Sequence, residues 1–273
     1  MEYKRYLPPG ELKSYVRYFW SYHSMKSNAS KLRIESFADR FPRLIFQDLK
    51  DFEALQTATN TLLPACYISG VDTLPSTSVM DGRFSHFGIS FYPHALHTLF
   101  KIDASELVNR MPDIELIVKS GLAQKLNDTV SDEERIDVVS RFLIDRLPIS
   151  KRTNQLINNI IHSEHLSFDA SVISLQEEFK VSERQLERVF KSAIGISPKK
   201  YQRILRFESA LEKLSAANYS DLTAISYDLN FSDQAHFIND FKNLSGLSPY
   251  EFVKNNKIGS ESSSFITVLP SKI

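Results

Sequence analysis

Cysteine is nearly missing from this sequence: Cys66 stands alone in 273 residues. No disulfide framework can form within one chain, which fits a reducing cytoplasm, and a lone cysteine is read as a small buried hydrophobe before it is read as a nucleophile. No apolar run reaches the roughly 18 residues that cross a bilayer. The opening MEYKRYLPPGELK lacks the apolar centre of a signal peptide, so a cytoplasmic protein without membrane contact is expected. Nucleophile elbow, P-loop and dinucleotide glycine fingerprint are all absent; neither enzyme activity nor a cofactor is expected. His94 and His97 sit three apart, but no carboxylate or cysteine close in sequence completes a ligand set, so aromatic or capping roles are expected rather than a metal. His162 and His165 are read the same way. A surplus of one charge is lacking too: 33 basic residues balance 33 acidic ones, which decides nothing about nucleic acid until their distribution is considered.

What is present is enough apolar material for two domains. The chain is 42% hydrophobic, with 19 Phe and 11 Tyr to fill cores. Residues 1–125 mix aromatic and β-branched segments with turn signals. Arg43–Phe46 and Phe87–Phe91 are predicted strands, and Glu11–Ser21 and Pro93–Phe100 predicted helices. The expectation is an α+β domain, a small barrel or sandwich, serving sensing or assembly, with Trp20 as a core anchor or the wall of a ligand pocket. Residues 126–152 are expected to connect, with a helix over Asp132–Arg146 ended by Pro148. An all-α domain is expected over 153–256, followed by a mobile tail over 257–273.

Charge is concentrated in the all-α part. From Lys180 to Arg206 there are eight basic residues and two acidic ones, the footprint of a phosphate-binding surface or of a solvated helix face. The same part holds an internal repeat. Leu175 and Ser182 recur as Ile225 and Ser232 at a spacing of fifty. Leu186, Phe190, Lys191, Gly195, Ser197 and Pro198 recur as Phe237, Phe241, Lys242, Gly246, Ser248 and Pro249 at fifty-one. In the first copy, Ile173, Leu175 and Phe179 mark a short helix and Lys180-Val181 a tight turn. Ser182 then caps a second helix, with Gln185 placed to complete a capping box. Leu186, Val189, Phe190 and Ala193 share its inner face; Arg184, Glu187, Arg188 and Lys191 fall outside. In the second copy Leu222, Ile225 and Leu229 face inward, Phe231 packs at the turn, and Ser232 or Asp233 is the cap. Phe237, Phe241 and Leu244 are buried there, and Ala235, Asn239 and Lys242 point out. Ser197-Pro198 opens a helix reaching about Leu214 that holds the copies apart. Each copy is a helix-turn-helix, whose second helix enters the major groove.

These residues resemble the AraC/XylS-type DNA-binding domain over 155–255. The first signature is met by Ser182, Arg184, Leu186, Arg188 and Phe190, then Gly195, Ser197, Pro198 and Tyr201; the second by the run from Asn230 to Lys242. Three features depart from the family pattern. Lys180 and Asn230 replace the turn glycines; asparagine tolerates a left-handed backbone, and lysine predicts a somewhat different turn. Gln176 and Ser226 replace small alanines, and Asn239 replaces an arginine. Residues 221–251 carry five acidic residues and one lysine, so the second motif is expected to grip DNA more weakly. The N-terminal half resembles a domain often found in front of such modules, through Tyr6, Pro8, Leu12, Tyr15, Val16 and Trp20, then Pro42, Leu44, Ile45 and Phe46, then Gly88, Ile89, Phe91 and Pro93, with Leu107, Asn109 and Arg110.

The resemblance implies a bacterial, sequence-specific transcription regulator with two-helix motifs starting near Ser182 and Asp233. It would work on double-stranded DNA at the nucleoid. Base contacts are assigned to Arg184, Glu187, Arg188, Gln234, Ala235 and Asn239. Phosphate contacts are assigned to Ser182, Lys191, Lys199, Lys200, Arg203 and Lys242; His236 is read as structural. A small-molecule effector, RNA polymerase and a second copy of the chain are the other partners the family type admits. The competing reading is a small-molecule binding protein whose N-terminal domain is the active part.

Overall fold

The computed structural model describes residues 1–25, 31–148, 155–163, 166–216, 221–255 and 264–268. Eight strands come first: β1 (Glu2–Tyr6), β2 (Val16–Ser24), β3 (Leu32–Ser36), β4 (Arg43–Gln47), β5 (Gln56–Thr57), β6 (Cys66–Ser69), β7 (Ser76–Met80) and β8 (Phe84–Phe91). Eleven helices follow among the described residues: α1 (Ala95–Phe100), α2 (Ile114–Ile117), α3 (Leu122–Asn127), α4 (Asp132–Ile144), α5 (Gln155–Ile161), α6 (Val172–Phe179), α7 (Glu183–Ala193), α8 (Pro198–Ser215), α9 (Leu222–Asp228), α10 (Gln234–Ser245) and α11 (Pro249–Asn255). A last strand, β9 (Ser264–Val268), pairs antiparallel with β3. Of the 257–273 tail, expected to be mobile, only those five residues fall among the described ones.

Strand β8 shows why the N-terminal half is layered. Every residue in it is buried, as happens only when a strand is covered on both faces. Phe87, Ile89 and Phe91 belong to one core cluster with α1, α3 and α4, while Phe84 belongs to another, with Leu32, Leu55, Tyr67 and Met80. The period-2 alternation sends odd and even positions to opposite sides. A five-stranded sheet, ordered β1-β2-β8-β4-β6, therefore lies between helices on one side and a four-stranded sheet, β5-β7-β3-β9, on the other. Of the two shapes expected, this is the sandwich. Cys66 lies in the helix-side core, where burial pushes its thiol pKa up. Helix α4, expected only as a connector, buries Val139, Phe142 and Leu143 in that same cluster.

The helix predicted over Glu11–Ser21 is not formed. Gly10–Leu12 makes a single 3-10 turn, and β2 begins at Val16. Leu12, Tyr15, Val16 and Phe19 do recur at helical spacing, but all four pack on the helix-side core from a turn and a strand. The Val-Arg-Tyr-Phe-Trp-Ser-Tyr run is rich in strand formers, and pairing with β1 and β8 on its two edges decides the outcome.

The helical half forms two small cores joined by α8. Tyr201, Ile204 and Leu205 of α8 pack with Leu175, Leu186 and Phe190. Further along the same helix, Phe207, Ala210, Leu211 and Leu214 pack with Ile225, Phe237 and Phe241. Each core also receives residues of the N-terminal half: Val71 and Val108 enter the first, and Phe37 and Ala38 the second. Phe37 lies 6.3 Å from Phe207 and 6.1 Å from Phe252, ring centre to ring centre, and the Ala38 amide donates to the Leu244 carbonyl at 2.8 Å. Between these contacts Arg40 reaches α8, donating to both Glu208 carboxylate oxygens (3.2 and 2.9 Å) and to the Tyr201 hydroxyl at 3.1 Å. At the first core Gly195 takes a φ of +100°, and a methyl group there would stand 2.8 Å from the Ala104 carbonyl oxygen, so this approach admits only glycine.

Replacing Arg40 by alanine strands the Glu208 carboxylate at the seam between the halves. Charged hydrogen bonds of this kind contribute about 1–3 kcal/mol, so R40A is expected to lower the unfolding free energy by that amount and to make the junction more accessible to limited proteolysis. Urea unfolding beside the parent chain checks the first effect and digestion time courses the second.

Candidate nucleic-acid interface

The repeat seen in the sequence is a repeat of hydrogen bonds. Helix α6 ends on Lys180 and α9 runs out at Asn230, which adopt left-handed φ values of 51° and 56°. The Val181 amide donates to the Gln176 carbonyl at 3.0 Å, and fifty residues on the Phe231 amide donates to the Ser226 carbonyl at 2.9 Å. Lys180 and Asn230 donate in turn to the carbonyls of Glu177 and Tyr227. This is one helix-terminating motif made twice. The different turn expected at Lys180 is not found: the lysine takes the glycine-like conformation itself, because the closing hydrogen bonds and the burial of Leu175 and Leu186 hold the chain there.

Past each turn the second helix is capped as its sequence dictates. Ser182 and Gln185 form the capping box, with the Gln185 amide on Ser182 Oγ at 3.3 Å and the Ser182 amide on Gln185 Oε1 at 3.0 Å. In the second unit Asp233, not Ser232, is the cap; its carboxylate accepts from the His236 amide at 2.7 Å. That bond, ahead of the other causes, holds the Asp233 carboxyl below the usual carboxylate range. Ser232 instead contacts His236 Nδ1 at 3.1 Å, and the His236 ring stands edge-on to Phe231 at 5.2 Å.

The inner faces are fully buried at Leu186, Phe190, Phe237 and Phe241. Arg184, Glu187, Arg188 and Lys191 on α7 are all exposed, as are Ala235, Asn239 and Lys242 on α10. Gln234 is half-buried and accepts from the Thr223 hydroxyl at 3.1 Å, which ties the start of α10 to α9. Lys199 and Lys200 are exposed in the first turn of α8, with Ser197 as its cap and Pro198 at the first helical position. A helix N-terminus repels cations and attracts anions, so the helix itself does not stabilise two lysines at this point.

Three assigned phosphate residues already have neighbours within the protein, Ser182 through its capping box with Gln185. Arg203 donates to Asp240 on α10 at 2.6 Å, bracing the second unit against α8. Lys191 lies near Asp103, whose carboxyl is held low first by Ser105 and in smaller part by this lysine. The C-terminal end of α7 therefore abuts the N-terminal half, while its first two turns, which carry Arg184, Glu187 and Arg188, face outward. Sequence reasoning missed Phe37, Arg40 and the Arg206 guanidinium over the Phe231 ring at 5.1 Å. These contacts join distant segments and leave no periodic trace. Of the histidines weighed as metal ligands, His97 bonds the Ile102 carbonyl at 2.7 Å and His94 lies buried beside Tyr15 and His162; His165 falls outside the described residues.

With this geometry the C-terminal third is a double helix-turn-helix domain, and residues 175–255 match the family model described as a helix-turn-helix domain. Its two signatures, from Ser182 to Tyr201 and from Asn230 to Lys242, resemble the AraC type. Residues 4–113 match the model of a domain of unknown function, DUF6597. The chain is 29% identical over 170 residues to the probable transcriptional regulator LumQ of Photobacterium leiognathi, a match covering 61% of this chain and 64% of that protein. It is 32% identical over 87 residues to an uncharacterized HTH-type transcriptional regulator of Haemophilus influenzae, covering 32% of this chain and 29% of the relative. The chain thus spans less than two thirds of either relative. Among solved structures, ToxT from Vibrio cholerae O395 superposes with a TM-score of 0.42 and 11% identity over 86% of this chain and 97% of that one.

The strained turn makes a direct test. A left-handed backbone costs an L-residue roughly 1–2 kcal/mol, part of which glycine returns through unfolded-state entropy. Lys180→Gly is expected to stabilise the chain by about 0.5–1 kcal/mol, and Lys180→Ala to give no gain. Urea denaturation of both variants decides; equal midpoints would mean that the turn is unstrained.

Proposed function

We propose that this protein is a bacterial transcription regulator that recognises a specific duplex sequence with α7 and α10 in successive major grooves. The observation that carries this reading is the pairing of two identically terminated turns with two outward faces that have few internal partners. No ion pair or hydrogen bond of Arg184 or Arg188 occurs among the described residues, and both side chains are exposed. Long cations held at the start of a capped helix are what base-edge recognition uses, since arginine bonds guanine O6 and N7 together. Glu187 between them suits a cytosine amino group, Ala235 a thymine methyl and Asn239 an adenine. Lys199, Lys200 and Lys242 supply phosphate contacts, which position the protein without reading sequence. Successive grooves lie about 34 Å apart, so one chain spans an asymmetric site of roughly two helical turns, and neither a second copy nor a metal is needed for it.

The two units are not equal. The basic face belongs to α7 and the start of α8, whereas α10 offers an alanine, an asparagine and one lysine. The first unit therefore carries most of the affinity and the second most of what remains of the specificity.

The test is selection of bound fragments from the organism's own genomic DNA, followed by binding measurements on the best fragment. R188A is expected to lose about 1–3 kcal/mol, roughly five- to a hundredfold in affinity, and to relax preference at one base pair. K199A is expected to weaken all sequences alike and to reduce the salt dependence by about one ion. Wild-type affinity and selectivity in R188A would remove Arg188 from the base-reading set, and no enrichment of any fragment by the parent chain would end the regulator reading.

A further inference from the structure

Between the two sheets lies a cavity of about 130 Å³ that the DNA-binding reading does not use. That is close to the volume of an engineered cavity of about 150 Å³ that takes up benzene, so a molecule of some six to eight non-hydrogen atoms fits. Its walls are aromatic, with Trp20, Tyr22 and Tyr67 from the five-stranded sheet, and its polar end holds Asp39, Arg43 and Asp72. Trp20 can lie there only because Gly88 is its cross-strand partner: a methyl at position 88 would sit 2.3 Å from two carbons of the indole.

We propose that this cavity is a binding site for a small organic cation bearing a hydroxyl or carbonyl, with Asp72 as its counter-ion, the aromatic walls around its charge and the Trp20 indole N–H as donor to its oxygen. The charge balance points that way. Within the cavity lining, two carboxylates face the single guanidinium of Arg43, which is in an ion pair with Asp39. Asp72 is buried and receives the Ser69 hydroxyl at 3.4 Å. Burial, with Asp39 adding to it against the pull of Arg43, lifts the Asp72 carboxyl to about 7. His86, which also lines the cavity, cannot supply the missing charge, because burial pushes it down to about 4 and keeps it neutral. An ammonium group entering beside Asp72 restores the balance, and electron-rich ring faces favour a cation at short range. The Trp20 Nε1 is buried with no hydrogen-bond partner among the described residues, and an orphaned buried donor of this kind is costly unless something accepts from it.

The site does not depend on DNA binding, and its test does not read DNA. Trp20 is the only tryptophan in the chain, so its fluorescence, excited selectively, reports the cavity itself. The full-length protein is titrated with three probes of one shape: choline, its neutral isostere 3,3-dimethylbutan-1-ol and the anion 3,3-dimethylbutanoate. Choline is expected to shift Trp20 emission saturably and to raise Tm, binding at least about tenfold more tightly than either isostere, as the attraction of its cation to the Asp72 carboxylate and to desolvated ring faces allows. In Asp72→Asn, which preserves the shape of the cavity, that preference is expected to vanish while the Tm without ligand changes little. The parent-chain comparison stands even if the variant does not fold. Equal binding of the neutral probe, tighter binding of the anion, or no response to choline up to roughly 10 mM, the weak end expected of so small a ligand, overturns the proposal. None of these results touches the regulator reading, which falls only with the DNA experiments.

Discussion

The organisation of this protein depends on one shared helix. Helix α8 is the only one among the described residues that contributes to both halves of the double helix-turn-helix domain, with Tyr201 in one core and Phe207 in the other. Its 18 residues extend about 27 Å. Each recognition helix must bury its phenylalanines against that shaft, Phe190 on one unit and Phe237 with Phe241 on the other. Once those rings are inside, the opposite face has no freedom: positions 184, 187 and 188, and 235 and 239, look outward because a helix repeats every 3.6 residues. The outward presentation of polar residues thus follows from apolar packing, and it needs no local preference of arginine or asparagine for the surface.

Rigidity of the shaft also makes the two units dissimilar without cost to the fold. Arg203 braces α10 through Asp240 and so fixes the second unit against α8. The second unit is acidic around its recognition helix, and Asp233 places a carboxylate at the helix start, where it satisfies the dipole. A carboxylate at that point stabilises the fold and opposes a phosphate. The first unit resolves the same competition differently: its cap is a neutral serine, and Lys199 and Lys200 lie nearby at the start of the next helix. The same motif thus carries a charged cap in one copy and, in the other, a neutral cap with two lysines at the start of the next helix.

What was legible in the sequence were the features that repeat or obey a local rule. Ser182 with Gln185, Ser197 with Pro198, and the Gly195 and Gly246 pair all report backbone demands of a few residues each, and all appear where they were expected. Leu186, Phe190, Phe237 and Phe241 were legible from period 3.6. The strand at Val16–Ser24 was not, since Leu12, Tyr15, Val16 and Phe19 mimic a helical stripe in a segment whose edges are taken by β1 and β8. Nor were Phe37 and Arg40, which join the segment after β3 to a helix 161 residues or more away; a single inserted segment has no period and no capping rule. The cavity was legible only as the alternative reading of Trp20, because its polar end is assembled from Arg43 at the start of β4 and from Asp39 and Asp72, which follow β3 and β6 and meet in an isolated bridge.

Those same aspartates tie the two halves of the molecule together. Asp39 and Asp72 exchange backbone hydrogen bonds, amide to carbonyl in both directions, at 2.8 and 2.9 Å. Two residues before Asp39, Phe37 enters the core of the second helix-turn-helix unit; one residue before Asp72, Val71 enters the core of the first. The side chains of the pair meanwhile form the polar end of the cavity, and the Phe37 ring is part of its wall. One backbone bridge therefore connects the floor of the cavity to both cores behind the recognition helices. Packed cores respond to displacement by discrete repacking rather than by smooth deformation. Val71 and Phe37 thus anchor the cores behind α7 and α10 to one backbone bridge.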